Sequence, residues 1–171
     1  MKILATGLQV VDRARSATSQ SIGYALGLGG MRPELETPGA LCDCSGFAAW
    51  CNFVSRYIER WNPLYEGGDW FETTALARDA KSPFGFVDLV PERLARPGML
   101  YVYGDRGPGK QGHVGVVSAI EADRGPSRVI HCSRGNEKAY GKGHAVHETG
   151  PDVFRAGGAI VARLAFIDYG G

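Results

Sequence analysis

Cys44 is the residue of this sequence best placed to act as a nucleophile. It stands in the run Asp-Cys-Ser-Gly-Phe, where a loop gives way to a predicted helix. A helix start presents unpaired backbone N–H groups and the positive end of the helix dipole, and both favour a thiolate. We therefore predict a lowered pKa for the Cys44 thiol and a backbone N–H placed to donate into an oxyanion hole. Gly46 is expected to leave room for a substrate backbone.

A cysteine nucleophile needs a base, and two histidines in predicted strands are candidates. His113 opens the run His-Val-Gly-Val-Val, and His131 stands eighteen residues later in a second strand. If the two strands form an antiparallel pair, His131 lies beside His113. It would then accept the N–H of the base imidazole and fix its tautomer. The spacing by itself leaves this pairing open.

The remaining cysteines and histidines are interpreted as structural or surface residues. Cys51 falls on the apolar face of the predicted helix, and Cys42 and Cys132 are interpreted as small buried residues. We place His144 and His147 on the surface.

A metal site is an alternative use of four of these residues. Cys42, Cys44, His131 and Cys132 offer the atoms that zinc prefers, but the usual spacing between paired ligands is missing. Adjacent strand residues also point to opposite faces, so His131 and Cys132 are poorly suited to hold one ion. We therefore predict no metal.

The elements that must position these residues change character along the chain. Helices are predicted over residues 9–26, 44–61 and 69–80, with Asp69 as the cap of the third. Strands are predicted over 99–103, 113–120, 128–132, 144–148 and 159–167, with loops at 104–112, 123–126 and 150–158. Helices followed by strands indicate an α+β fold, with N-terminal helices packed on a C-terminal antiparallel sheet of five or six strands.

Length and composition restrict the class of protein. The 171 residues are typical of one domain, and we treat 1–171 as a single unit. The hydrophobic share of 44% and charged share of 22% are those of a globular chain. A net charge of +1 favours neither nucleic acid nor a membrane surface as partner. The first residues lack a clear signal peptide, so we expect synthesis in the cytoplasm.

Four motifs in order resemble the NlpC-type papain-like cell-wall cysteine peptidases. These are Asp-Cys-Ser-Gly-Phe, Pro-Gly-x-Leu, Gly-His-Val-Gly-Val and Ile-His, and the likeness covers most of the chain. The resemblance implies a papain-like fold in which Cys44 is the nucleophile, His113 the base and His131 the orienting third residue. Tyr24 matches a tyrosine near the nucleophile, and we expect Tyr24, Asp43 and Ser45 to contact the substrate or the oxyanion.

The same resemblance implies the substrate. Members of that family cleave the D-γ-glutamyl bond to the diamino acid in peptidoglycan stem peptides through a thioester, without metal or cofactor. This sequence departs from the family at Met99, where an aspartate is usual, and in long segments at 62–68 and 105–111. The sequence therefore does not determine which muropeptide bond is cleaved, nor whether the protein has a phage or immunity partner. The sequence fits a phage lysin, a tail hydrolase or an exported effector. Each of these would be made in the cytoplasm and would reach the wall by another route.

Two further functions fit parts of the pattern. A CHAP-type amidase would cut the sugar–peptide amide or a cross-bridge, and the run Gly-His-Val-Gly-Val-Val fits both families. A non-enzymatic phage tail or structural protein would keep the fold without turnover, but the complete set of one cysteine and two histidines argues against it.

Overall fold

The computed structural model describes residues 2–57, 71–82 and 85–170. Six strands in the described part form one sheet: β4 (Val87–Val90), β5 (Leu100–Tyr103), β6 (His113–Glu121), β7 (Gly125–Cys132), β8 (Val146–Thr149) and β9 (Ile160–Leu164). Their order is β4-β9-β5-β6-β7-β8, and every neighbouring pair is antiparallel. The predicted α+β class with a six-stranded antiparallel sheet is confirmed.

Two short parallel pairs lie outside this sheet. β1 (Ala5–Thr6) pairs with β10 (Ile167–Asp168) and joins the two ends of the chain. β2 (Gly23–Tyr24) pairs with β3 (Leu41–Cys42), and Tyr24 stands opposite Cys42. The second pair therefore holds Tyr24 close in register to the start of the following helix.

The first helix, α1 (Gly7–Thr18), is shorter than the predicted 9–26. It begins at a capping box in which Thr6 accepts from the Gln9 N–H and Gln9 accepts from the Thr6 N–H. Near its end, three hydroxyl groups donate back to carbonyls three residues earlier, which competes with helix continuation. These belong to Ser16, Thr18 and Ser19. The helix therefore ends at Thr18, well before the predicted residue 26 and the glycines that follow it.

The second helix, α2 (Cys44–Cys51), starts where predicted and ends ten residues early. Asn52 is its cap, and Phe53 then adopts a positive φ of 60°, which takes the chain out of the helix. The last part of the predicted range 44–61 falls on residues 58–70, outside the described residues.

The third helix, α3 (Thr73–Asp79), ends close to the predicted position but has a different cap. The Glu72 carboxylate accepts from the backbone N–H groups of Thr74 and Ala75. Asp69, the predicted cap, lies outside the described residues.

Two further helices were missed in the sequence. α4 (Arg134–Tyr140) follows β7, and α5 (Asp152–Gly157) occupies most of the predicted loop at 150–158. Strand β4 was also not predicted. None of the helices in the described ranges is long and apolar enough to cross a membrane.

The sheet is covered on both faces. α1 and α2 contribute to the larger core cluster, which includes Phe47, Val114 and Ile130. The smaller cluster includes Tyr101, Val117, Val129 and Phe154 of α5. The sheet therefore supports two layers, and the candidate site lies where α2 begins beside β6.

Candidate active site

The start of α2 is fixed by Asp43. One carboxylate oxygen accepts from the Gly46 N–H at 2.9 Å and the Ser45 hydroxyl at 3.1 Å. The other accepts from the Gly27 N–H at 2.7 Å and from Arg56 at 2.7 Å. Asp43 is 1% exposed and Ser45 is 4% exposed. Their side chains therefore hold the helix start in place, and their contact with the substrate or the oxyanion stays a prediction.

Arg56 is the buried partner of this carboxylate, and no motif or periodicity in the sequence points to it. Its guanidinium also donates to the Leu28 carbonyl at 2.9 Å and to the Ser45 hydroxyl at 3.2 Å. Its backbone N–H donates to the Gly30 carbonyl at 2.7 Å. Arg56 thus connects the loop before β3 to the first turn of α2. These contacts position Cys44, which lies between Asp43 and Ser45.

Gly46 serves this loop and not the substrate. A Cβ atom at Gly46 would lie 2.6 Å from the Gly29 carbonyl oxygen and 2.7 Å from that of Leu28. Gly30 packs from the other side with a φ of +73°, and its Cβ would meet the Gly46 carbonyl oxygen at 2.1 Å. The expectation that Gly46 opens space for a substrate backbone is therefore wrong.

The Cys44 thiol is nearly enclosed, with 7% of the residue exposed. Burial raises the pKa of the thiol to about 12, and the negative charge of Asp43 adds to this effect. The backbone N–H of Val114, the Arg56 guanidinium and the Ser45 N–H lower the pKa but do not outweigh burial. The prediction of a lowered pKa is wrong for the free protein, whose Cys44 is a neutral thiol at pH 7.

His113 and His131 lie side by side, the arrangement expected if their strands form an antiparallel pair. The register of β6 and β7 places Val117 opposite Val129, which brings the two histidines to the same face. His113 Nε2 lies 2.8 Å from His131 Nδ1, and His131 Nε2 lies 2.9 Å from the hydroxyl of Thr149. Because Nε2 of His113 is engaged, Nδ1 is its remaining nitrogen for a reacting group.

Gly115 makes this ring pair sterically feasible. It lies between the two histidines on their shared face, and a Cβ there would be 3.0 Å from His131 Cβ and 2.9 Å from Phe154 Cζ. The Phe154 ring stacks on His113 with centroids 5.0 Å apart and meets His131 edge-on at 5.2 Å. Phe154 was missed because α5 was predicted as a loop.

The aromatic packing around the histidines keeps them neutral. Burial lowers the pKa of His113 to about 4, with a small opposing effect from Asp43. Burial also lowers the pKa of His131 to about 3, and the neighbouring His113 and His147 rings act in the same direction. At neutral pH the site therefore holds a thiol and two uncharged imidazoles.

Cys44 lies close to the strand that carries His113. α2 packs against β6, and Val114, whose N–H acts on the thiol, directly follows His113. Within the described residues, the Cys44 thiol makes no hydrogen bond to the His113 ring. Catalytic hydrogen bonds are often absent or long before the substrate binds.

Tyr24 lies beside the start of α2 and is half-buried. Burial raises the pKa of its phenol to about 12, and Cys44 and Asp43 add to that effect, so the hydroxyl stays protonated. The exposed Arg134 guanidinium lies 5.5 Å from the centre of the Tyr24 ring. Tyr24 is therefore a neutral donor near Cys44, in keeping with its predicted place beside the nucleophile.

The other cysteines have structural contacts. Cys42, Cys51 and Cys132 are fully buried free thiols. Cys42 donates to the Asp43 carbonyl at 3.3 Å, and Cys132 donates to the Cys42 carbonyl at 3.2 Å. Across the described residues, no group of three or more histidine, cysteine or acidic side chains is arranged to hold a metal ion.

The remaining histidines differ from each other. His144 is exposed, as predicted. His147 is only half-exposed, and its ring stacks on Tyr140 with centroids 3.7 Å apart. A cavity of about 1320 Å³ lies elsewhere, along β1 and β10, and Cys44, His113 and His131 do not line it.

Two solved structures resemble the chain at low identity. They are the crystal structure of Ly7917, with 16% identity and a TM-score of 0.48, and its complex with the hydrolyzing product of MDP, with 14% identity and a TM-score of 0.46. The chain aligns over 92% of its own length in both, and spans 60% and 61% of theirs. No curated protein sequence matches the chain significantly.

The sequence profile of the CHAP domain matches residues 36–136, which is more than half of the chain and includes Cys44, His113 and His131. CHAP domains are cysteine- and histidine-dependent amidohydrolases and peptidases of the cell wall. The matched family is therefore the CHAP family, which the sequence motifs offered as the alternative. The match does not extend to the NlpC-type family that the motifs resemble more closely. The chain belongs to the CHAP family of cysteine/histidine-dependent hydrolases.

Proposed function

We propose that this hydrolase cleaves an amide bond in the peptide part of peptidoglycan, with Cys44 as nucleophile, His113 as general base and His131 as the residue that orients His113. The observation that carries the proposal is the placement of Cys44. It sits at a capped helix start beside β6, which carries His113, and the His113 ring is hydrogen-bonded to His131 on β7. This arrangement needs no metal or cofactor.

The neutral resting state favours proton transfer during attack over a preformed ion pair. The raised pKa of Cys44 and the lowered pKa of His113 both oppose a resting thiolate and imidazolium. When the substrate carbonyl approaches, Nδ1 of His113 removes the thiol proton as sulfur bonds to carbon. The imidazolium that forms then has two N–H groups, and the one on Nε2 donates to His131.

The developing oxyanion needs donors that are already in place. The first N–H groups of a helix have no partner within it. In α2, the Gly46 N–H is taken by the Asp43 carboxylate and the Phe47 N–H by the Asp43 carbonyl. We assign the Cys44 N–H to the oxyanion, with the protonated Tyr24 hydroxyl as second donor.

The remaining steps of the reaction release the two products. His113 gives its proton to the leaving amine as the C–N bond breaks, which leaves a thioester on Cys44. A water molecule, deprotonated by the neutral His113, then attacks the thioester. The carbon–sulfur bond breaks to release the carboxyl product, and His113 returns the proton to sulfur, which regenerates the thiol. His113 therefore acts once as base and once as acid in each half of the cycle.

Two bonds are candidates for cleavage. The motifs around Cys44 and His113 resemble enzymes that cut D-γ-glutamyl to the diamino acid, which is our first proposal. The match to the CHAP family supports the second candidate, which is a CHAP-type cleavage. In that case the bond is either the amide between sugar and peptide or an amide within a cross-bridge. The two products differ in mass, because only the second frees an intact stem peptide or a cross-bridge fragment.

Digestion of purified muropeptides, followed by mass spectrometry, tests the proposal and separates the two bonds. Our first choice predicts a disaccharide carrying L-Ala-D-Glu and a free peptide that begins at the diamino acid. Release of an intact stem peptide would favour the second bond. Recovery of all muropeptides uncut, with a folded enzyme, would contradict both.

A further inference from the structure

We propose that Thr149 is a positioning residue that sets which nitrogen of each active-site histidine carries the proton. This role rests on the proposed function, because it gives His113 the free lone pair that a base requires. Thr149 is the last residue of β8, and it lies outside the stretch matched by the CHAP profile. Its side chain extends the hydrogen-bonded chain that begins at His113.

The direction of this chain follows from its last member. The Thr149 hydroxyl donates to the Gly150 carbonyl oxygen at 3.0 Å, and a carbonyl oxygen only accepts. A hydroxyl has one proton, so towards His131 the Thr149 oxygen acts as an acceptor. We therefore assign the proton of His131 to Nε2, which lies 2.9 Å from the Thr149 oxygen and donates to it.

Each preceding bond is then determined in turn. A neutral imidazole has one N–H and one bare nitrogen, so His131 Nδ1 is bare and accepts at 2.8 Å from the Nε2–H of His113. His113 Nδ1 is consequently unprotonated. That nitrogen is the one left free to take a proton from Cys44.

The surrounding structure holds Thr149 to this task. Antiparallel pairing sets Thr149 opposite Val129, one diagonal step from His131 on the same face of the sheet. His147 stands directly opposite His131, but its ring stacks on Tyr140. The Thr149 hydroxyl is thus the group that contacts His131 Nε2.

Loss of the hydroxyl would release the opposite protonation pattern. With no acceptor at Nε2, His131 gains by moving its proton to Nδ1 and donating to His113 Nε2. His113 would then carry its proton on Nδ1, which faces the nucleophile and has no lone pair to offer. The wrong histidine tautomer in a Ser–His–Asp triad lowers kcat by about 10⁴.

The test compares Thr149→Val with Thr149→Ser in the full-length protein. Valine keeps the β-branched shape and removes the hydroxyl, whereas serine keeps the hydroxyl. Long-range proton–nitrogen NMR correlations in the free protein distinguish a protonated from a bare ring nitrogen. We expect Nε2-protonated rings for His113 and His131 in the wild type and in Thr149→Ser, and a shift to Nδ1 protonation in Thr149→Val.

Turnover of muropeptides supplies a second readout. Thr149→Val is expected to lower kcat by about 10²-fold, at the modest end of general-base effects, with KM changed less than about 2-fold. Thr149→Ser should recover kcat to within about 3-fold of the wild type. A loss of kcat in both variants alike would indicate a packing role and overturn the proposal.

The two proposals fail in different ways. Unchanged ring tautomers in a folded Thr149→Val protein would overturn the role of Thr149, whatever the activity. A change of tautomers in a protein whose wild type cleaves no muropeptide would uphold the role of Thr149 and overturn the proposed function.

Discussion

His131 makes the stability of this protein sensitive to acid in a predictable way. It is 3% exposed and its pKa is lowered from 6.5 to about 3. Between these values the unfolded chain binds a proton at this residue that the folded protein does not, so stability is full above about pH 6.5 and falls as the pH drops towards 3. Integration from pH 7 to pH 5 gives a loss of about 2 kcal/mol from His131 alone.

Urea denaturation at pH 7 and pH 5 measures this loss. His131→Asn removes the titrating group, so its difference in unfolding free energy between the two pH values should be about 2 kcal/mol smaller than in the wild type. The comparison uses the difference between pH values, because the substitution also breaks hydrogen bonds and lowers stability at both. His144→Asn, on an exposed residue, is the matched control and should leave the wild-type difference unchanged. An equal loss in the wild type and His131→Asn would refute the claim that His131 is held neutral by burial.

Three other predictions concern the scaffold and the base. Gly115→Ala should destabilise the fold by about 1–3 kcal/mol in urea denaturation and lower kcat, because the added Cβ would lie 2.5 Å from Val129 Cγ1. Gly135→Ala is the control, since the nearest atom to its added Cβ is 3.6 Å away. Arg56→Met should cost about 3–5 kcal/mol in the same assay, since it leaves a buried carboxylate without its cation, and a loss below 1 kcal/mol would contradict that pairing. The acid limb of kcat/KM should lie near pH 4, where His113 gains its proton and ceases to be a base; a limb at 6.5 would mean that the ring is exposed in the active enzyme.

The sequence was informative where a local pattern determines the structure. The start of α2 and the strands that carry His113 and His131 follow from apolar periodicity and from cap and turn residues, whereas the spacing left the pairing of those strands open. The contact between the two histidines depends on antiparallel pairing of these strands, which the structure shows, and on the small residue Gly115. The α+β class follows from the same order of elements.

The failures arose where distant contacts decide the outcome. The buried ion pair between Arg56 and Asp43 joins segments that no periodicity connects. The pKa of Cys44 was predicted from the helix start alone, but burial depends on how completely β6 and the preceding loop enclose the thiol. Phe154 and Thr149 belong to elements that follow the last recognised motif, and only the fold brings them to His131.

The claim that Cys44 performs the chemistry is tested most directly by the rate of muropeptide cleavage in two cysteine variants of the same helix. Cys44→Ala should retain the fold, as seen by circular dichroism, and show no cleavage above background. Cys51→Ala removes another buried thiol from the other end of α2 and should cleave at a rate within a few-fold of the wild type. Cleavage by folded Cys44→Ala at the wild-type rate would contradict the account.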